Sequence, residues 1–342
     1  MGNEANGRVR PVRLRDVAAR AGVDISTASR ALSGQRKVSA DATKRVNEAA
    51  AALGFAPNQA ARNLRLSRTM VLGVVTHHFD SPIYLDALEG LGGVCHDHGY
   101  ELMITTARGD AALYQLLVQR LYERRVDGLI LWTPPAVGAA LDPFTSGDTP
   151  VLAIGVRNAA SSAVPHINVS EAQPIDTAVQ RLTALGHRSL FYLSSPRSSS
   201  RQRLPGLQAA ARRAGVALAH EEAPLDQPMP ALCEQLRRQL VEPGGVTAVI
   251  ADHRHLGRVT AALHLIDVRV PADVSLVGFA RSRWAQEIWL PTATIQTDAV
   301  AFGRVVGRTM IDWLGGTRPP ETTEVPAAEW IERTTIGPAP RP

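Results

Sequence analysis

The sequence predicts a small all-α domain at the N-terminus, followed by a larger α/β core that forms two lobes around parallel sheets. Small apolar residues recur at helical spacing through the first 57 residues, whereas buried strands alternate with helices from residue 70 onward. This alternation starts again near residue 167, which indicates a second lobe of similar size. A chain of 342 residues also exceeds the ~250–300 residues that one hydrophobic core usually supports.

The N-terminal helices are short and rich in small residues. Residues 14–21 carry apolar side chains at helical spacing, and Gly22 supplies a tight turn after them. Asp24 is a good N-cap for a second helix that starts at Ile25. A third helix follows the N-cap Ser39 and ends at Gly54. Three short helices with a glycine turn between the first two predict a helix-turn-helix domain.

Positive charge is concentrated in this helical region. The first 70 residues contain 13 of the 37 Lys and Arg residues but only 5 of the 32 Asp and Glu residues. A basic small domain beside a mildly acidic body is the charge distribution expected for nucleic-acid binding. The hydroxyl-rich tip of the second helix is thin enough to enter a major groove, where it reaches base edges and phosphates.

A second basic segment, PNQAARNLRLS at 57–67, follows the third helix. Ala61 and Leu64 share one face of this segment, and Arg62 and Arg65 flank that face. The segment is too short and too solvated to be a stable helix alone in water. It is therefore either an ordinary linker or a segment that folds on a partner.

The core is predicted to contain parallel sheets with helices on both faces and a ligand cleft at the carboxyl ends of the strands. The predicted strands cover 70–75, 100–105, 126–132, 149–155, 188–195, 247–252 and 274–279, and the predicted helices cover 83–99, 110–125, 174–186, 204–215 and 257–266.

These motifs resemble the LacI/GalR family of transcription regulators over essentially the whole chain. The resemblance is carried by LRDVAARAGVDISTASRALSG, VSADATKRV and ALGFAPNQAARNLRLSRT, and in the core by TALGHRSLFYLSS, RLPG, VPADVSLVGF and TIQTDAVAFG. It implies a core similar to periplasmic sugar-binding proteins, in which the chain crosses three times between the lobes. It also implies a cytoplasmic, nucleoid-associated repressor that binds a pseudo-palindromic double-stranded DNA operator as a homodimer and responds to a small-molecule effector.

The resemblance assigns DNA contacts residue by residue. It implies that Ile25, Ser26 and Arg30 face the bases, while Thr27 and Ser29 lie at phosphates. In the family the later segment folds on DNA and inserts a leucine into the minor groove, which would be Leu64 here. The implied DNA-binding set comprises Arg13, Asp24, Ile25, Ser26, Thr27, Ser29, Arg30, Asn58, Ala61 and Leu64.

Arg13 departs from the family pattern. The family usually has a threonine here that caps the first helix, so we expect Arg13 to contact the DNA backbone or the first helix to fray slightly.

The effector-binding residues are expected at strand ends and in the loops that follow. Arg203 stands where the family has its effector-binding arginine, and its guanidinium would hold hydroxyls or a carboxylate; a salt bridge is the alternative role. The implied set comprises His77, His78, Phe79, Asp80, Trp132, Arg203, Asp252, Arg281, Trp284 and Asp298.

The predicted pocket has fewer acceptors than the family pattern. Ala280, Ala251 and Gly155 stand where polar residues are usual, whereas cationic and histidine side chains are added. These changes favour an anionic effector, such as a sugar phosphate or an acid sugar, over a neutral monosaccharide; loss of effector sensing is the alternative. The added side chains are His77, His78, His253, His255, Arg281 and Arg283.

Several other classes are not predicted. No apolar run reaches about 18 residues, so no membrane span is expected. The first ten residues lack the apolar segment of a secretory signal, and the two cysteines suit a reducing cytoplasm. The histidines in CHDH (95–98) and HRH (253–255) lack a third ligand at recognisable spacing, so no metal is expected.

No catalytic residues and no cofactor are expected, because the common nucleotide, hydrolase and zinc-protease motifs are absent from the sequence. The alternative function is a module that binds a sugar or sugar derivative without operator-specific regulation.

The expected organisation is a flexible tail at 1–12, a helix-turn-helix domain at 13–57, a hinge or linker at 58–69, a two-lobed core for effector binding and dimerisation at 70–336, and a tail at 337–342. No leucine heptad follows the core in the sequence, so we expect a dimer rather than a tetramer.

Overall fold

The computed structural model describes residues 12–32, 38–55, 68–79, 82–135, 138–155, 164–196, 203–241, 245–280, 290–326 and 328–340. The chain divides between Thr69 and Met70 into two compact units, which we call the head unit and the core unit. Each unit is described by itself.

The head unit contains three helices: α1 (Leu14–Ala21), α2 (Ile25–Leu32) and α3 (Ala40–Leu53). Gly22 ends α1 in the left-handed conformation at φ +62°, as the predicted turn requires. The Ser39 hydroxyl accepts a hydrogen bond from the backbone N–H of Ala42 at 3.3 Å and so caps α3. The helices predicted from capping residues and apolar spacing are confirmed.

Small side chains form the core of the head unit. Alanines dominate the buried set, so the three helix backbones approach one another closely and little volume is needed to fill the interior. The buried residues of this cluster are Val17, Ala18, Ala21, Ala28, Ala31, Val46, Ala49 and Ala50.

The core unit contains two six-stranded sheets. Sheet 1 has the order β11-β5-β4-β3-β1-β2 and sheet 2 has the order β12-β10-β9-β8-β6-β7. Neighbouring described strands are parallel, except that β12 runs antiparallel to β10. The strands are β1 (Val71–Thr76), β2 (Glu101–Thr106), β3 (Gly128–Trp132), β4 (Val151–Ile154), β5 (His166–Val169), β6 (Ser189–Ser194), β7 (Ala217–Glu222), β8 (Ala248–Ala251), β9 (Ser275–Ala280), β10 (Ala293–Thr297), β11 (Thr322–Val325) and β12 (Ala328–Ile331).

Helices pack on both sheets, and each sheet has apolar clusters formed with its helices. A short 3-10 turn, Gly138–Leu141, precedes α6. The helices are α4 (Pro82–Asp97), α5 (Ala111–Glu123), α6 (Asp142–Thr145), α7 (Ala172–Ala184), α8 (Arg203–Ala214), α9 (Met229–Val241), α10 (Leu256–Leu265) and α11 (Ala299–Leu314).

The chain passes between the two lobes three times, as the resemblance implied. It leaves sheet 1 after β5, returns after β10 to place α11 and β11 in lobe 1, and enters sheet 2 again with β12. Both lobes are therefore discontinuous in sequence. The structure also adds β5, β7, β10, β11 and β12, and α6, α9 and α11, which the sequence patterns did not predict.

Glycines allow an unusually close contact between α4 and α11 in lobe 1. A Cβ added at Gly90 would collide with the carbonyl oxygen of Val300, and one added at Gly303 would collide with that of Ala87. The two helix backbones thus touch, and this contact holds α11 on lobe 1 although it follows a strand of lobe 2.

Within the part of the chain that the structure describes, no helix has both the length and the apolar character needed to span a bilayer.

Candidate DNA-binding and effector sites

The first turn of α2 presents a mixed apolar and polar surface. Ile25 is 55% exposed, which is unusual for a large aliphatic side chain. Ser26 and Arg30 are exposed beside it, while Thr27 and Ser29 are half-buried. The opposite face of α2 is buried through Ala28 and Ala31. The predicted division of α2 into a packed face and an exposed face is present in the structure.

Hydrogen bonds organise this surface around Asp24. Its carboxylate accepts from the Ser26 hydroxyl at 2.6 Å, from the Thr27 hydroxyl at 2.7 Å and from the Thr27 backbone N–H at 2.9 Å. These hydrogen bonds hold the pKa of Asp24 well below its usual range, and the bond from the Ser26 hydroxyl makes the largest contribution. The Ser26 hydroxyl oxygen in turn accepts from Nη2 of Arg30 at 3.1 Å.

Arg13 occupies the N-cap position of α1. Its backbone N–H donates to Oδ2 of Asp16 at 2.8 Å, and its side chain is exposed. α1 begins immediately afterwards at Leu14, so the start of the helix is ordered by Asp16 in place of a threonine cap.

Some of the predicted site residues lie outside the described residues. These are Asn58, Ala61 and Leu64 of the hinge segment, and Asp80, Arg281 and Trp284 of the effector set.

In lobe 1, the predicted effector residues lie after β1 and at the end of β3, at the carboxyl edge of sheet 1. The rings of His77 and His78 meet edge to face with centroids 4.8 Å apart, and Phe79 is 41% exposed. Trp132 is only 5% exposed, because its ring packs edge to face against Tyr84 at 5.1 Å. Trp132 therefore contributes more surface to the core of lobe 1 than to the edge.

In lobe 2, an ionic cluster lies at the carboxyl edge of sheet 2. Arg203 donates from Nε and Nη2 to the two carboxylate oxygens of Glu171, both at 2.7 Å, and its Nη1 lies 3.6 Å from Oδ1 of Asp252. Oδ1 of Asp252 is 2.5 Å from Nδ1 of His253. The Ser195 hydroxyl donates to Oδ2 of Asp252 at 2.9 Å.

The Arg203 guanidinium also lies over the ring of Phe279, 4.3 Å from its centroid. Burial by itself would lower the pKa of Arg203, but the charge and hydrogen bonds of Glu171, followed by the charge of Asp252, raise it overall. Arg203 is thus cationic and forms ion pairs with Glu171 and Asp252. This is the salt-bridge role that the sequence left open as an alternative to ligand binding.

The structure corrects part of the predicted pocket chemistry. His255 is fully buried, and its Nε2 lies 2.8 Å from the carbonyl oxygen of Ala223, so it does not add a cation to the cleft. Burial also lowers the pKa of His255 below its usual value. Gly155 has φ +90°, a backbone conformation that favours glycine. The backbone therefore explains this residue without a change in the ligand chemistry of the pocket.

Asp298 has a structural partner in its own segment. Its carboxylate accepts from the backbone N–H of Ala301 at 2.9 Å and caps α11. The structure therefore brings together Arg203 and Asp252, and separately His77 and His78, whereas the Asp298 side chain caps a helix.

Glu171, Ser195 and Phe279 belong to the lobe 2 cluster but were not among the predicted site residues. Glu171 follows β5, a strand that the sequence pattern did not predict, which is why it was missed. Ser195 is the last residue of the predicted strand at 188–195 and directly follows β6, so its position at a strand end was a usable signal. Within the described residues, no group of three or more His, Cys, Asp or Glu side chains could hold a metal ion.

Comparisons with known proteins agree with a helical head unit followed by a two-lobed core unit. Residues 13–58 match the family model described as bacterial regulatory proteins, lacI family, and residues 179–336 match the periplasmic binding protein-like domain.

Relatives match over most of their length. The ribose operon repressor of Escherichia coli (strain K12) is 27% identical over 299 residues, which cover 85% of this chain and 90% of that protein. The HTH-type transcriptional regulator CelR of Thermobifida fusca is 29% identical over 339 residues, which cover 93% and 94%. The crystal structure of the Lac repressor dimer bound to operator and the anti-inducer ONPF matches with a TM-score of 0.84 at 25% identity, covering 96% of this chain and 100% of that one.

A helical head unit with an exposed polar helix and a two-lobed parallel α/β core define an effector-controlled DNA-binding protein. Residues 13–58 form a domain of the bacterial lacI family and residues 179–336 a periplasmic binding protein-like domain, and the chain is similar over most of its length to regulators of that family. It is an operator-binding transcription regulator, and its fold, its DNA partner and its control by a small-molecule effector are confirmed. Because the relatives are regulators, the prediction that the chain is not an enzyme is also confirmed.

Proposed function

We propose that α2 reads the operator through Ile25, Ser26 and Arg30, with Asp24, Thr27 and Ser29 around them, and that Arg13 lies at the DNA backbone. The observation that carries this proposal is the exposure of Ile25 beside a fixed group of polar side chains on a helix whose other face is packed. Two such helices in a dimer would read half-sites one helical turn apart, so the operator is pseudo-palindromic. A regulator with this function works in the cytoplasm at the nucleoid.

Selection of bound duplexes from a random pool tests this proposal. We expect a two-fold symmetric consensus whose affinity falls steeply with salt, because phosphate contacts release counterions. Arg30→Ala removes a DNA-facing cation and should lower the affinity for the selected site by about tenfold or more. The matched control is Arg124→Ala, which removes an exposed cation from the core unit and should leave affinity unchanged. Equal losses in both variants would contradict the assignment to α2.

We propose the domain organisation expected above, with a hinge at 58–69 in which Leu64 enters the minor groove beside Asn58 and Ala61. The support is the sequence of this segment, with an apolar face between arginines. Leu64→Ala should weaken binding to the selected operator while leaving the free energy of unfolding and effector binding unchanged. Unchanged operator affinity would reject the wedge role.

For the effector, we propose a sugar or sugar derivative bound at the carboxyl edges of the two sheets. The support is the position of the lobe 1 and lobe 2 residues at those edges, together with a relative named for the ribose operon. Since His255, one of the added side chains, is buried with a lowered pKa and adds no cation to the cleft, the anionic class has less support than the sequence indicated. The proposed lining remains His77, His78, Phe79, Asp80, Trp132, Arg203, Asp252, Arg281, Trp284 and Asp298.

To identify the effector, we would add neutral and phosphorylated sugars one at a time and measure which of them releases the protein from operator DNA. Arg203→Lys keeps the charge at the cluster but removes the two-pronged geometry, so it should abolish the response and retain operator binding. Arg213→Lys on the same helix is the matched control, because Arg213 pairs with Asp176 at the surface. A normal response in Arg203→Lys would place the effector elsewhere, and release by phosphorylated sugars alone would restore the anionic class.

A further inference from the structure

The hydroxyl groups on the DNA-facing turn of α2 already have a hydrogen-bond acceptor within the protein. The Ser26 hydroxyl lies 2.6 Å from Oδ1 of Asp24, and the Thr27 hydroxyl lies 2.7 Å from Oδ2. Both carboxylate oxygens of Asp24 are therefore engaged, each by a different hydroxyl. The backbone N–H of Thr27 adds a third bond at 2.9 Å.

The direction of these bonds follows from proton counting. An ionised carboxylate only accepts hydrogen bonds, and a hydroxyl has a single proton to donate. The pKa of Asp24 is held well below its usual range, so the group is ionised at any pH at which DNA binding is measured. Ser26 and Thr27 consequently donate their protons to Asp24.

What these hydroxyls retain for a partner is acceptor capacity. The Ser26 oxygen uses one lone pair on Nη2 of Arg30, at 3.1 Å, and a hydroxyl oxygen can accept two hydrogen bonds. In the major groove the groups that donate to an acceptor are the amino groups of adenine (N6) and cytosine (N4). Phosphate oxygens, guanine N7 and O6, and thymine O4 are acceptors and need a donor.

We propose that Asp24 is a positioning residue that fixes Ser26 and Thr27 as hydrogen-bond acceptors, so that the protein selects an adenine or cytosine amino group opposite Ser26. This inference rests on the proposed reading of the operator by α2 and adds a rule for one base position. It also changes the expected role of Thr27, whose hydroxyl has no proton for a phosphate while Asp24 is ionised.

The test uses the full chain and an operator selected from a random duplex pool. Each adenine and cytosine of the half-site is replaced in turn by purine or pyrimidin-2-one, the analogues that lack the amino group. We expect one position at which the analogue weakens wild-type binding by about tenfold. Ser26→Ala should remove that loss, because the acceptor is gone.

Asp24→Asn is the informative variant, since its amide can donate as well as accept and no longer compels both hydroxyls to donate. We expect the analogue to weaken its binding by less than about threefold, while binding to unrelated duplex becomes stronger as hydroxyl protons become available to phosphates. Asp24→Ser repeats the test with a residue that also caps helices well.

Asp41→Asn is the matched control for the lost charge. Asp41 is an exposed carboxylate in the first turn of α3 that pairs with Arg45 at 3.3 Å, and its removal should leave the analogue effect at about tenfold.

The outcomes separate the inference from the function on which it rests. A tenfold analogue effect that persists in both Asp24 variants overturns the role of Asp24. A wild-type consensus that no amino-lacking analogue weakens overturns it as well, while the operator function stands. A wild type with no sequence preference overturns operator reading by α2 itself.

Discussion

The two lobes of the core unit arrange their strands in the same order, yet they place different chemistry at equivalent strand ends. β1 of lobe 1 and β6 of lobe 2 occupy the same place in their sheets, as do β3 and β8. β3 ends at Trp132, which packs on Tyr84, whereas Asp252 after β8 joins an ionic cluster with Arg203. The shared strand order sets where these residues lie, and side-chain chemistry decides how each edge is held together.

The lobes also differ in how they hold the segments that cross between them. Lobe 1 holds α11 by direct backbone contact with α4, which only glycines at Gly90 and Gly303 permit. Lobe 2 holds the start of α7 by the pairing of Glu171 with Arg203. Lobe 1 should therefore be sensitive to added volume, and lobe 2 to lost charge.

Each lobe contains one of the two cysteines, Cys95 and Cys233, both buried, so thiol labelling can follow each lobe separately.

The largest expected effect is in lobe 2. Arg203→Met leaves Glu171 and Asp252 without their cation, and breaking such a buried pair destabilises a protein by about 3–5 kcal/mol. Urea unfolding should show this loss, and labelling of Cys233 should accelerate more than that of Cys95. The control Arg213→Met removes a surface pair and should change the free energy of unfolding by no more than about 1 kcal/mol. If the two variants were equally stable, the cluster would have no role in holding lobe 2.

Gly303→Ala should give the next largest effect, in lobe 1. Its methyl group would collide with the backbone of α4, and overpacking of this kind destabilises by about 1–3 kcal/mol. Accelerated labelling of Cys95 on α4 is the expected signature. Gly93→Ala is the matched control, since an added Cβ there meets nothing within 4 Å; it should stabilise α4 by up to about 1 kcal/mol. A stable Gly303→Ala protein would mean that the helices can move apart freely.

Acid should destabilise lobe 2 through its buried histidines. Burial lowers the pKa of His187 and of His255 below the usual 6.5. Folding therefore favours the neutral rings, so this contribution is fully present above about pH 6.5 and is lost as the pH falls below it. The urea midpoint should drop between pH 7.5 and 5.5, with a shallower drop in His187→Gln. His98→Gln, at an exposed position, is the control, and its urea midpoint should fall with pH as that of the wild type does. An equal fall of the urea midpoint in all three proteins would exclude His187 as a source of the acid destabilisation.

The smallest effect concerns the thiol of Cys95 in the folded protein. Burial raises the pKa of Cys95 to about 11, so little thiolate is present at pH 8. Labelling by a disulfide reagent should then be limited by opening of lobe 1 and should slow further in Gly93→Ala. Rapid labelling of the native wild type would show that the contact of α4 with α11 opens readily.

Local sequence determined most of the head unit. Gly22, Asp24 and Ser39 act within a few residues of their own positions, as turn and capping residues do, so helix boundaries could be predicted from them. Strands with buried apolar runs were also predicted in both lobes, because an apolar run is likewise a local pattern in the sequence. The polar edge strands β7 and β11 were not, because their side chains are partly or fully exposed and carry no clear apolar alternation.

Only the tertiary structure decided the partners of residues far apart in the chain. Glu171 and Arg203 are 32 residues apart, and their pairing joins the N-terminal ends of α7 and α8, two helices that pack against each other. The sequence placed Arg203 at a site but left open whether it holds a ligand or a carboxylate. Spacing in the sequence predicted α4 with its glycines but not α11, and the contact between these two helices depends on a chain that returns from lobe 2 to lobe 1. Contacts of this kind follow from topology, because sheet order rather than local propensity brings such residues together.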